Sequence, residues 1–127
     1  MCLSGGIHQL SPAQWQVVGE AMALYREVFA IIRDGQSRRF GTPVANYQHP
    51  KGWQAIVRHH RDQLLVVVHH FESVDAEFAI PTGDWRVGRV FQSGGRPPEV
   101  GGNSLRCFPD GPLSGQVIWL LKRETER

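Results

Sequence analysis

The chain has 127 residues, 41% of them hydrophobic, and a formal net charge of +2. That length supports one modest hydrophobic core and not two. The 14 basic residues are scattered among 12 acidic ones, so there is no basic stripe and no reason to expect a nucleic-acid partner. The longest apolar runs, Leu64 to Val68 among them, are far too short to span a bilayer. Cys2 and Cys107 lie far apart with no C-x-x-C, which suits a reducing compartment better than a disulfide framework. The N-terminus shows no basic region followed by an apolar run, and a cytoplasmic protein without a membrane partner is expected.

Along the chain, Met1-Cys2-Leu3 and Ser4-Gly5-Gly6 read as a strand tip leaving through a Gly-rich loop. Ser11-Pro12-Ala13-Gln14 is a helix start, with Ser11 as N-cap, Pro12 in the first turn and Gln14 closing a capping box. The spacing predicts one helix over 12–33, stopped at Asp34-Gly35 with Gly35 in the left-handed conformation. Two apolar stripes run along it. Trp15, Val18, Met22, Tyr25, Phe29 and Ile32 form one; Val17, Ala21, Leu24, Val28 and Ile31 form the other. Together they cover an arc of roughly 200°, about twice that of an ordinary surface helix.

Residues 34–52 carry Gly and Pro without a period and read as a connector. Strands are predicted over 53–59, 63–71, 76–80, 85–92, 103–108 and 116–122. Arg61-Asp62 is the tightest of the turns between them, and Ser93 to Gly102 reads as a loop. Leu64–Val68 and Val117–Leu121 are apolar on both faces, as central strands covered on both sides are. The fold class expected is therefore mainly β, an antiparallel β-sandwich preceded by one long amphipathic α-helix.

Chemistry is sparse. A two-residue turn at Arg61-Asp62 pairs His59 with Leu64 and Trp53 with His70. That sends the doublets His59-His60 and His69-His70 to opposite ends of a hairpin and argues against a metal site. His8 and His49 lie outside both doublets. No carboxylate pair is brought together by helical or strand spacing, no Ser sits in a G-x-S-x-G elbow, and neither Gly94-Gly95 nor Gly101-Gly102 leads into a helix. Trp53, Trp85 and Trp119, with Tyr47, are the candidates for a sugar-stacking platform; parity places Trp119 in the core, while Trp53 and Trp85 begin their strands.

A Gly-rich strand exit, a doubly striped helix and a run of short strands bring a resemblance into view. Cys2-Leu3-Ser4-Gly5, His8-Gln9-Leu10-Ser11, Gln14-Trp15, IRDGQSRRFG, Gly52-Trp53-Gln54 with Arg58, Leu65 to His69, Phe71-Glu72, IPTGDWRV and FPDGPLSGQVIWL follow one another in order. Their sequence resembles the C-terminal end of the α-galactosidase (melibiase) type of glycoside hydrolase. The resemblance implies the last strand exit and helix of a (β/α)8 barrel over 1–35, a linker over 36–52 and a C-terminal antiparallel sandwich over 53–127. It implies a non-catalytic structural portion, because the family's two catalytic aspartates belong to upstream barrel strands with no counterpart here. Ser4, Gly5 and His8 are then candidates for the substrate-pocket rim, and only in a complete barrel. Family members commonly carry an Asp directly after this Ser-Gly, where this chain has Gly6. The implied partners are the catalytic barrel or another copy of the chain, with galactosides as ligands; no cofactor or metal is expected. The alternatives are a stand-alone carbohydrate-binding module using Trp53 and Trp85, or a sandwich that self-associates through the helix.

Overall fold

The computed structural model describes residues 9–41, 51–71, 78–92, 96–108 and 114–122. The helix begins as its sequence dictates. The Ser11 hydroxyl accepts the Gln14 backbone N–H at 3.2 Å, and the Ser11 N–H donates to the Gln14 side chain at 2.8 Å. It is interrupted once, however. α1 spans Pro12–Glu27 and α2 spans Phe29–Asp34, with Val28 between them. The Val28 carbonyl accepts from both Ile31 and Ile32, so a tighter turn is inserted without releasing the backbone hydrogen bonds.

Gly35 departs from the expected left-handed cap, since its backbone is extended. A glycine is required there for space. A Cβ would lie 2.5 Å from the Ile31 carbonyl oxygen and 2.8 Å from Arg58 Cγ. The chain turns directly from α2 into an edge strand beneath it.

That strand, β1 (Gln36–Gly41), occupies part of the stretch read as connector. It pairs antiparallel with β2 (Trp53–His60) along its whole length. Phe40 is its one half-buried side chain, and an edge strand with one apolar contact leaves no alternation to read. β3 (Gln63–His70) follows through the Arg61-Asp62 turn, with Arg61 at φ 53 as primed hairpin turns require. The pairs His59–Leu64 and Trp53–His70 form as the spacing predicts.

β4 (Phe78–Pro81), β5 (Trp85–Gln92), β6 (Arg96–Gly101), β7 (Ser104–Phe108) and β8 (Ser114–Lys122) complete two antiparallel sheets. One has the order β1-β2-β3-β8-β5 and the other β4-β7-β6. β6 lies in the stretch expected to be a loop. Its Pro97-Pro98 pair is tolerated because β6 is an edge strand whose register shifts between Arg96 and Glu99.

The fold has three layers. Ala55, Val57, Leu64, Val66, Val68, Ile118 and Leu120 from the larger sheet meet Ile80, Leu105 and Cys107 from the smaller one. On the opposite face Leu65 packs against Leu24, Val28 and Ile31, flanked by Val67, Phe91, Val117 and Trp119. β3 and β8 are thus the central strands, covered on both sides as their double apolar pattern requires.

One stripe of the helix is therefore covered from Leu24 to Ile31, although Val17 at its start stands 53% exposed. In the other stripe Ile32 packs against the same layer, but Trp15 is 43% exposed and Phe29 is 41% exposed. The sheet face beside the helix is also partly open. Ile56, Val67, Val117 and Phe91 align in one row across β2, β3, β8 and β5, with Ile56 exposed.

Candidate functional site

Among the described residues the sandwich is mismatched, with five strands laid over three. At one end of the larger sheet's inner face, beside the connection after β4, lies a cleft of about 230 Å³. Its floor is Val57 and Leu64, both buried. Pro81, Phe40 and the indole of Trp85 form its walls, and Gln36, Arg38, His59 and Thr82 supply the polar groups.

Register explains why these residues meet. Gln36, Arg38 and Phe40 alternate along β1 and pair with His59, Val57 and Ala55, so all point to the inner face. Trp85 arrives from β5, at the other edge of the sheet, through the short connection after β4. Its indole N–H donates to the Thr82 carbonyl at 2.7 Å. Gly83 takes φ +91 in that connection, which favours glycine. The His59 ring stands edge-on to the indole with centroids 6.0 Å apart. The Arg38 guanidinium lies 5.6 Å from the Phe40 ring centroid, close enough for a cation–π contact.

A bulge fixes the side on which Trp85 stands. The register of β5 against β8 shifts between Val87 and Arg89. Before it Trp85 and Val87 face inward; after it Val90 does, and Phe91 turns to the helix side. Gly88 occupies the extra position, where a Cβ would lie 3.1 Å from Leu121 Cδ1 and 3.2 Å from the Trp119 carbonyl oxygen.

The sequence-derived candidates fall out as follows. Ser4, Gly5, His8, Tyr47 and His49 lie outside the described residues. Trp53 and Trp85 do not form one platform. Both face the inter-sheet core, but Trp53 begins β2 while Trp85 meets His59 near its end, about 20 Å along the strand. Trp119 packs beneath the helix and donates its indole N–H to Gln63 at 3.0 Å. The histidine doublets sit at opposite ends of the hairpin as expected, and among the described residues no cluster of three metal-ligating side chains occurs. No described helix is long and apolar enough to cross a membrane. Gln36, Arg38 and Phe40 were missed by sequence reasoning, because their strand carries no recognisable period.

Elsewhere, two features have no catalytic character. Arg33 and Asp34 form an exposed ion pair at 2.8 Å, whose hydrogen bond holds the Asp34 carboxyl below its usual range. Cys107 is a buried free thiol in the inter-sheet core, and desolvation pushes its pKa up to about 12. A thiol that stays protonated is a poor nucleophile. The native chain is expected to leave Cys107 unreacted with a thiol reagent at pH 8, whereas denaturant exposes it. A fast native reaction localised to Cys107 by mass spectrometry would contradict its burial. Linkage gives a second sign. The folded-state pKa is raised, so the unfolded chain loses this proton first, and stability falls as pH rises from about 9 toward about 12.

Comparison with protein families, curated proteins and solved structures returns no match.

Proposed function

We propose that this chain is the C-terminal, non-catalytic portion of an α-galactosidase-like glycoside hydrolase, and that its role is to support a (β/α)8 barrel. The observation that carries the reading is where apolar surface remains exposed. Among the described residues, Trp15, Val17, Phe29 and Ile56 are four of the five large hydrophobic side chains that stand exposed. All four belong to the helix layer or the sheet face bearing it. The fifth, Val87, is on the inner face. A two-sheet core has been filled on one side while the helix keeps Trp15, Val17 and Phe29 in solvent, as a helix with a further layer to meet would.

In this reading the stripe faces neighbouring barrel elements, and Ser4, Gly5 and His8 belong to the barrel rim. Hydrolysis with retention needs two carboxyl groups about 5 Å apart, and no described pair of carboxylates lines the cleft. The purified chain is therefore expected to give no turnover of an aryl α-galactoside. Mixed with an α-galactosidase barrel truncated before its last βα unit, it should form a complex and raise that barrel's residual activity. Trp15→Asp combined with Phe29→Asp should abolish both effects. Turnover by the chain alone, or a double variant that complements as well as the parent, would sink the proposal.

A further inference from the structure

The geometry points to the cleft between β1, the start of β3 and the Thr82–Trp85 connection as a binding site for a single acidic sugar ring, a hexuronate. This inference does not rest on the barrel reading above. Size is the first argument. At about 230 Å³ the cleft is smaller than the sites of drug-sized ligands, which start near about 300 Å³, and it suits one pyranose rather than a chain.

The distribution of surface points the same way. The buried floor of Val57 and Leu64 and the rings of Phe40 and Trp85 are apolar, while Gln36, Arg38 and His59 are exposed at the rim. A pyranose has the same division, with a C–H face that packs on aromatic rings and a hydroxyl rim that seeks polar groups. The indole is held in place in advance, its N–H bound to the Thr82 carbonyl and its edge set by His59. Preorganisation of this kind lowers the entropic cost of binding.

Charge selects the acid. The described lining contains Arg38 and His59 and no carboxylate, and no ion pair among the described residues engages Arg38. The guanidinium is held over Phe40 with its donors free to take a carboxylate in a two-point contact. Gln36, two residues along the same face of β1, is placed to bond a ring hydroxyl.

The test is a titration of the full chain by two-dimensional NMR, following the Trp85 indole N–H, with galacturonate and with galactose. Galacturonate is expected to shift that signal with an affinity about tenfold or more above galactose, since the two differ in the carboxylate. Arg38→Ala, on an exposed edge strand, should keep the folded spectrum and weaken galacturonate binding by a similar factor; Arg38→Lys should fall between. Binding of galacturonate no tighter than galactose would overturn the assignment. So would an unmoved Trp85 signal at saturating acid, or an Arg38→Ala chain that binds the acid unchanged.

Discussion

Replacing Leu120 with alanine is expected to destabilise the fold by about 3 kcal/mol. Leu120 is fully buried at the middle of the inter-sheet core, between Leu64 on β3 and Val87 on β5. Its loss removes methyl groups facing a second sheet. Leu120 and Leu64 belong to strands paired on both sides and collapse little, so most of the cavity persists. For a domain of this size about 3 kcal/mol corresponds to a melting temperature lower by roughly 12 °C. Val87→Ala is the internal control, because Val87 is exposed at 36% and should cost about 0.5 kcal/mol or less. Thermal and denaturant unfolding of both variants check the contrast. Equal losses would mean that the inter-sheet layer is not the main core.

The second large effect is expected at Arg58, where one side chain joins the helix to the edge of the sheet. Its Nε donates to the carbonyls of Ile31 and Ile32 at 2.8 and 3.0 Å, and its terminal nitrogen donates to the Ser37 hydroxyl at 2.9 Å. The last turn of a helix leaves carbonyls without intrahelical partners and carries a partial negative charge. A guanidinium answers both needs at once. Arg58→Ala takes the guanidinium donor from the Ile32 carbonyl, while the Ile31 carbonyl keeps the Gly35 N–H at 2.9 Å, and is expected to cost about 2 kcal/mol. The damage should be local first. Amide exchange should accelerate over α2, while β3 and β8 keep their protection until global unfolding intervenes. Arg58→Lys restores the charge without the planar fork and should recover only part of the loss. Uniform acceleration across the sheet would show that Arg58 serves the core rather than the helix end.

Much of this architecture was legible from local signals. The capping box at Ser11 and Gln14 reads directly because both partners are three residues apart. The β2–β3 hairpin reads from one turn and the strands beside it, and the two central strands from their apolar faces. What stayed hidden depends on contacts distant in sequence. β1 is a strand because β2 offers its edge, and β6 because its prolines lie at a bulged margin. Gly35 is glycine because Arg58 and the Ile31 carbonyl crowd it, not because of a left-handed turn. The cleft shows the same division. Trp85 stands out as a strand-start aromatic, but Gln36, Arg38 and Phe40 acquire meaning only when β1 is laid beside β2.

The register shift at Gly88 carries a consequence for how such a site can arise. Alternation along a strand is a parity count, and one added residue changes odd to even for everything that follows. In β5 the count before the shift assigns Trp85 to the inter-sheet side, and the count after it returns Phe91 to the helix side. A single strand thereby serves both hydrophobic layers with aromatic rings, which an unbroken alternation over these positions would not allow. The cleft owes its indole to the length of the chain at one point, and a change of length there redistributes side chains that no point substitution would move.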